Sequence, residues 1–190
     1  MAELLAVTNY AKSKDYACLL LRTQSILAFW IPDEVLDKPG GTTRIGFDIV
    51  TIPNEERGIL SRKRGLPTFL RTGAYVVDVD SFESLALPSI ACPSNNNNNN
   101  NKEITVIVID EIGRMELHSH AFRQCILQLL ASPSVRVIGA VTSPIYGHRV
   151  PFCDDITSRP EVSVRRITKK NRDAVYNEML TEVLSLAGVV

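Results

Sequence analysis

The chain has 190 residues, of which 45% are hydrophobic, and its 21 basic residues balance 21 acidic ones. A chain of this length can bury the core of one domain, so we expect residues 1–190 to form a single domain. A net charge of zero argues against a nucleic-acid partner, and no apolar stretch approaches the roughly 20 residues that a membrane span needs.

Residues 1–28 diverge most from a regular pattern. They contain no glycine, and the next glycines come only at Gly40 and Gly41. The stretch Ala2–Tyr10 is expected to form one or two helical turns. The apolar runs Tyr16–Leu21 and Ile26–Ile31 are expected to supply a strand.

Lys38–Thr43 contains two adjacent glycines and has two interpretations. In a phosphate-binding loop, Pro39 would remove a backbone N–H donor, and a strand pattern follows instead of a helix. We therefore favour a hairpin turn between extended segments that together span Phe29–Ile52.

Residues 54–72 are polar and are interrupted by Gly58, Gly65 and Pro67, which predicts a loop. The basic cluster Arg62–Arg64 is expected to be solvated there. A phosphate contact is the less favoured alternative.

A strand at Ala74–Val79 and a helix capped by Ser81 are predicted next. The helix is expected to end near Pro88 or Pro93. Its inward residues are Phe82, Leu85 and Ala86. Residues 94–102 include a pure asparagine tract, which predicts a surface loop without chemistry.

The six residues Ile104–Ile109 are β-branched throughout and lead into two adjacent carboxylates, Asp110 and Glu111. Such a run is typical of a strand buried on both faces of a parallel sheet. Ligands of open α/β sheets gather beyond the carboxyl ends of the strands. Asp110 at this place can hold Mg²⁺, and Glu111 can orient or deprotonate water. The alternative is that the pair only caps a helix.

A helix beginning at His118 or Ser119 and a second buried strand at Val135–Val141 follow. The apolar face of that helix consists of Phe122, Ile126, Leu129 and Leu130. Thr142, at the end of the strand, is placed to contact a γ-phosphate or the attacking water, and a capping or turn role is the alternative.

Residues 143–160 are predicted to form a loop because three prolines and a glycine interrupt them. Arg159 on this loop is expected either to stabilise a transferring phosphoryl group or to lie on the surface. A strand at Val162–Ile167 precedes the final helix, whose residues at helical spacing are Val175, Met179, Val183 and Leu186. Asn171 and Arg172 near its start are expected to contact a nucleotide or to be solvated.

The segment Asp110–Leu117, Asp-Glu-Ile-Gly-Arg-Met-Glu-Leu, resembles the Walker B segment of the cancer-related nucleoside-triphosphatase family, also called the THEP1 family. Arg114 is the one departure, since family members carry lysine there. Further blocks that resemble the family in the same order are Arg44–Thr51, Arg57–Arg62, Tyr75–Asp78, Ser81–Glu83 and Asn171–Asp173. The resemblance covers the chain from about Phe29 to its C-terminus.

The resemblance implies a three-layer α/β/α domain of P-loop type, with a mainly parallel central sheet and an appended antiparallel hairpin. It implies Mg²⁺-dependent hydrolysis of the terminal phosphate of ATP, GTP or other nucleoside triphosphates. Asp110 would bind Mg²⁺ and Glu111 would activate water. The phosphates would be held by Arg114, Arg159 or Arg172.

A phosphate-binding enzyme of this family should open with a strand, a glycine-rich loop ending Gly-Lys-Thr and a helix, and this chain contains no such loop. Losing several phosphate donors and a lysine would weaken nucleotide binding by more than about three decades. The chain is therefore either an enzyme of this family with a divergent or incomplete N-terminal part, or a non-hydrolysing relative that acts as a binding or scaffold protein. Phosphoryl transfer to a small acceptor is a weaker third hypothesis.

The four cysteines are scattered, with no Cys-x-x-Cys pair and no histidine at ligand spacing. This pattern favours reduced thiols with structural roles, and we expect a cytoplasmic location.

Overall fold

A computed structural model of the chain describes residues 4–8, 26–52, 54–91, 105–142, 149–168 and 170–186. Three sequence predictions lie outside these residues. They are the strand at Tyr16–Leu21, the asparagine-rich loop at 94–102, and the part of the predicted loop at 143–148.

The described residues form nine strands, four α-helices and one 3₁₀ turn at Glu116–His118. The strands are β1 (Leu4–Thr8), β2 (Ile26–Leu36), β3 (Arg44–Ile52), β4 (Arg57–Arg62), β5 (Arg71–Thr72), β6 (Tyr75–Val77), β7 (Thr105–Ile112), β8 (Val135–Val141) and β9 (Val162–Arg166). The helices are α1 (Val79–Ser89), α2 (His120–Ala131), α3 (Pro151–Thr157) and α4 (Arg172–Leu186).

All nine strands belong to one sheet, in the order β5-β6-β4-β3-β2-β7-β8-β1-β9. The five adjacent strands β2, β7, β8, β1 and β9 run parallel to one another. Strands β7 and β8 lie near the middle of the sheet. The remaining four strands pair antiparallel and extend the sheet beyond β2. The predicted hairpin is confirmed, since Phe29 pairs with Ile52 across β2 and β3. The antiparallel part is larger than that hairpin, because β4, β5 and β6 continue it.

Two apolar clusters lie on opposite faces of the sheet, because successive residues of β7 point to opposite sides. Ile107 and Ile109 pack on one face with residues of α1, α2 and α3, whereas Val106 and Val108 pack on the other face with Met179 of α4. Helices therefore cover both faces, and the predicted three-layer α/β arrangement is confirmed. No helix among the described residues is long and apolar enough to cross a bilayer.

Three aromatic rings at the centre of the first cluster connect the sheet to α1 and α2, the two longer helices on that face. Trp30 of β2 is fully buried, with ring centroids 5.4 Å from Phe82 of α1 and 6.2 Å from Phe122 of α2. The two phenylalanine rings are themselves 5.3 Å apart, edge to face. Such pairs add to the stabilisation that comes from burying the rings.

Two segments that the sequence pattern assigned otherwise are strands. The predicted helical turns at Ala2–Tyr10 are wrong, because β1 pairs in parallel with both β8 and β9 and this pairing overrides a weak helical preference. The predicted loop at 54–72 is wrong where β4 lies. Gly58 does not break this strand: a Cβ there would come 2.6 Å from Leu85 Cδ1, so the glycine allows α1 to pack closely.

The helices contain two further corrections. Asp78, not Ser81, caps α1: its carboxylate accepts a hydrogen bond of 3.0 Å from the backbone N–H of Ser81. The predicted loop at 143–160 is wrong where α3 lies. That helix begins at Pro151, a residue suited to the first helical position, and buries Cys153 and Ile156. The cap of α2 at Ser119 is confirmed.

Phe122→Ala should lower the free energy of unfolding by about 3–5 kcal/mol, because it empties the middle of the aromatic cluster. Phe69→Ala is the matched control, since Phe69 is 96% exposed. The control should change stability by less than about 0.5 kcal/mol. Urea unfolding of both variants measures the difference, and equal losses would contradict the described core.

Candidate active site

The two adjacent carboxylates lie inside strand β7, two and one residues before its end at Ile112. The sequence pattern placed the pair at the end of the strand, and the strand continues one residue beyond them. Ile109 pairs with Gly139 of β8, but Ile112 pairs with Val141, so β7 carries one residue more than its partner over this stretch. This extra residue makes a β-bulge at Asp110 and Glu111. Bulges redirect side chains and are frequent beside active sites.

Glu111 and Thr142 come together at this bulge. Thr142 Oγ1 donates a hydrogen bond of 3.0 Å to Glu111 Oε1, and the backbone N–H of Thr142 donates to the carbonyl of Ile112 at 3.2 Å. Glu111 remains exposed to solvent. The structure therefore places a surface carboxylate, held through one oxygen, at the carboxyl edge of the parallel strands.

Asp110 is the less exposed member of the pair. Burial, and secondarily the negative charge of Glu111, raise the pKa of Asp110 from 3.8 to about 7. The ionised form is therefore disfavoured in the protein alone, and a bound cation would stabilise it. Oxygen ligands of this kind are those that Mg²⁺ prefers.

Glu116 is a third carboxyl group of the site, and the sequence pattern gave it no role. It lies in the 3₁₀ turn and is only 3% exposed. Burial is the main reason that its pKa is raised to about 8, and the charges of Glu111 and Asp110 add to the effect. The only sequence signal was its place within the Asp110–Leu117 block, since spacing alone does not show that the residue is buried.

Helix α3 and the antiparallel strands flank the segment that carries these carboxylates. Cys153 of α3 donates from Sγ to the carbonyl of Ile112 at 3.4 Å, and burial raises its pKa to about 11, which agrees with a structural thiol. On the other side, Thr72 Oγ1 contacts the carbonyl of Arg114 at 3.4 Å and Nε2 of His118 at 3.0 Å. The turn after β7 is thus attached to the β5–β6 hairpin.

The predicted nucleotide contacts near α4 lie at the same edge of the sheet, because β9 runs parallel to β7. Asn171 Oδ1 accepts hydrogen bonds from the backbone N–H and the hydroxyl of Thr168, and its Nδ2 donates to the carbonyl of Arg166. Arg172 is exposed and pairs with Asp173 at 3.3 Å. Asn171 therefore fixes the turn before α4, and nucleotide contact by either residue stays a prediction.

The two remaining predicted arginines differ in position. Arg114 is exposed and lies in the turn after β7, three residues after Glu111. Arg159 precedes β9 and therefore lies toward the opposite edge of the sheet, where it pairs with Glu161 at 3.4 Å. The structure does not bring Arg159 to the carboxylates, and its role in a reaction stays a prediction.

A parallel sheet covered on both faces by helices, with acidic residues at the carboxyl edge of a central strand, defines an α/β fold of P-loop NTPase type. Two solved structures share it. The crystal structure of THEP1 from Aquifex aeolicus has a TM-score of 0.72 and 26% identity and covers 98% of this chain and 99% of that one. The solution structure of a human cancer-related nucleoside triphosphatase has a TM-score of 0.73 and 34% identity, covering 97% of both.

Sequence comparison identifies the family. The model of a family described as NTPase matches residues 31–180. The human cancer-related nucleoside-triphosphatase is 39% identical over 149 residues, which are 76% of each chain. THEP1 of Thermotoga maritima is 33% identical over 141 residues, 74% of this chain and 73% of that protein. The chain belongs to this nucleoside-triphosphatase family, so the predicted family and the prediction of an enzyme by family resemblance are confirmed.

Glu116→Gln should flatten the pH dependence of stability. The folded chain keeps Glu116 protonated up to about pH 8, whereas the unfolded chain releases that proton near its ordinary pKa of 4.5. Between these values the folded state binds more protons, so the free energy of unfolding falls as pH rises. Glutamine cannot ionise and removes this contribution.

Urea unfolding at pH 5 and at pH 8 measures the effect. The parent chain should lose more stability between the two than Glu116→Gln does. Glu178→Gln, at an exposed position of α4, should retain the dependence of the parent. Equal losses in all three proteins would show that Glu116 ionises normally.

Proposed function

We propose that the chain hydrolyses the terminal phosphate of nucleoside triphosphates in a Mg²⁺-dependent reaction in which Glu111 activates the attacking water. The observation that carries the proposal is the hydrogen bond from Thr142 to Glu111 beside the half-buried Asp110. The reaction class comes from the relatives, which are named nucleoside-triphosphatases.

Glu111 has the properties that a general base for water needs. Its side chain is exposed, so water reaches it, and Thr142 holds Oε1 in one position. The second carboxylate oxygen is then available to accept a proton from water at hydrogen-bond distance. A positioned base of this kind contributes typically about 10²–10⁴-fold to rate.

Asp110 fits a role in holding Mg²⁺, directly or through water. Within the described residues no group of three or more His, Cys, Asp or Glu side chains is arranged to hold a metal alone. Mg²⁺ is usually held by only one or two carboxylates together with water and substrate phosphates, which matches this donor set. When bound, the ion would neutralise charge on the phosphate oxygens.

The proposed site has fewer groups to bind the nucleotide phosphates than a site with a glycine-rich loop would have. A glycine-rich loop would follow a strand at this edge of the sheet, but residues 9–25, which follow β1, contain no glycine. Arg114, Thr142, Asn171 and Arg172 are the proposed contacts to the nucleotide, whether ATP, GTP or another. Without backbone donors from such a loop we expect weak binding.

The absence of a glycine-rich loop after β1 favours a second candidate function, a binding or scaffold protein that keeps the fold without hydrolysing nucleotides. The glycine-free segment after β1 is its support. The two candidates differ in one property, since only the enzyme loses an activity when Glu111 is changed. The cytoplasmic location and the lack of a nucleic-acid partner stay predictions.

Glu111→Gln should lower Mg²⁺-ATP turnover at least about 10²-fold, because glutamine cannot accept the proton from water. Nucleotide affinity should remain within about threefold, since the amide keeps the size of the side chain. Released phosphate measures turnover, and a fluorescent ATP analogue measures affinity. Chelating Mg²⁺ with EDTA should stop turnover by the parent chain.

The surface variant Glu178→Gln is the matched control and should behave as the parent does. Turnover that survives Glu111→Gln unchanged would remove Glu111 from the mechanism. Nucleotide binding without any turnover by the parent would favour the scaffold candidate.

A further inference from the structure

The carboxyl groups of Glu111 and Glu116 both lie close to the backbone of Gly113. A Cβ placed on Gly113 would lie 2.7 Å from Oε1 of Glu111 and 2.7 Å from Oε2 of Glu116. Gly113 is not among the glycines with positive φ, so its backbone conformation does not require glycine. The residue is needed for space, because the two carboxyl groups occupy the volume that a side chain would fill.

The two carboxyl groups differ in freedom to move. Glu116 is 3% exposed, and the backbone N–H groups of Gly113 and of Glu116 itself hydrogen bond to its carboxyl group. Glu111 is exposed, and Thr142 is its hydrogen-bond donor. Glu116 is thus the fixed partner of the two. Oε1 of Glu111 is 3.0 Å from Thr142 Oγ1 and 2.7 Å from the position that a Cβ of Gly113 would take.

We propose that Glu116 is a positioning residue that holds the carboxylate of Glu111 against Thr142, and that Gly113 provides the space in which the two carboxyl groups meet. The proposal rests on the hydrolytic role of Glu111. Removing the carboxyl group of Glu116 leaves a space into which the flexible side chain of Glu111 can turn, away from Thr142. The free oxygen of Glu111 is then no longer directed at one place.

Gly113→Ala should have the same effect by a different route. The added methyl group would lie too close to both carboxyl oxygens, so one of them must move. Glu116 is buried and held by two backbone donors, whereas the exposed Glu111 is free to shift into solvent. The Glu111 carboxylate is therefore the group that leaves its position.

The first measurement is the γ-methyl NMR signal of Thr142, which reports the Thr142–Glu111 contact without requiring activity. Glu111→Gln gives the reference for an altered contact. Glu116→Ala and Gly113→Ala should shift the signal, whereas Glu116→Gln, which preserves size and hydrogen-bonding capacity, should leave it near the parent value. The surface variant Glu178→Gln should not move it.

The second measurement is steady-state Mg²⁺-ATP turnover by the same proteins. Glu116→Ala and Gly113→Ala should lower kcat by about 10- to 100-fold with KM within about twofold, because a displaced base slows the reaction without changing substrate binding. Glu116→Gln should retain kcat within about threefold. Circular dichroism and thermal unfolding establish which variants are folded, and if Glu116→Ala is not folded then Gly113→Ala decides.

The two measurements separate this proposal from the proposed function. If the parent chain has no turnover, the hydrolytic function fails, and the Thr142 signal alone decides whether Glu116 positions Glu111. An unmoved Thr142 signal in folded Glu116→Ala or Gly113→Ala overturns the positioning role. Loss of kcat in Glu116→Gln equal to that in Glu116→Ala also overturns it, because the isosteric amide should support Glu111.

Discussion

The hydrogen bond between Thr142 and Glu111 depends on the bulge that places one extra residue in β7 between Ile109 and Ile112. Without it, strict alternation would put Ile112 on the face opposite to Ile109. With it, Ile112 returns to the same apolar cluster as Ile109, and the two carboxylates are displaced from the regular ladder. The bulge thus allows β7 both to continue the apolar core and to place polar side chains at the edge of the sheet.

The packing of residues next to the bulge fixes the spacing of β7 and β8, on which the hydrogen bond between Thr142 and Glu111 depends. Gly139 of β8 faces the carbonyl of Ile109, where a Cβ would lie only 2.9 Å away. On the next strand, Trp30 pairs with Ile109 and joins the sheet to α1 and α2 through two aromatic contacts. The site therefore rests on buried, closely packed residues, whereas Glu111 itself remains exposed.

Three carboxyl groups close together are costly to ionise, and two of the three have raised pKa values. A cation beside Asp110 would reduce this cost, and so would a proton on Glu116. Glu111 is exposed, whereas Asp110 and Glu116 are more buried. This difference in exposure fits a role for Glu111 in contacting water and supporting roles for the other two. A shared environment can in this way give different roles to chemically similar residues.

The sequence predicted the elements whose signals are local. The run of β-branched residues indicated β7, the apolar stripe from Phe122 to Leu130 indicated α2, and Thr142 was expected near the reacting groups. Strand β1 was missed because its pairing partners, β8 and β9, lie far away in the chain. Strand β4 was missed because Gly58 and its polar residues hide the strand pattern, although its partners β3 and β6 are close in the chain. Glu116 was not assigned a role, since its burial arises from the turn after β7 and from packing that no spacing rule describes.

The central claim is that Asp110 and Glu111 line one side of a magnesium–phosphate site. A crystal structure with Mg²⁺ and a non-hydrolysable ATP analogue, both at millimolar concentration, tests it most directly. The expected result is Mg²⁺ about 2.1 Å from an oxygen of Asp110 or of a water that Asp110 binds, with a water about 3 Å from the free oxygen of Glu111. Nucleotide and metal bound elsewhere, with Asp110 and Glu111 unchanged, would contradict it.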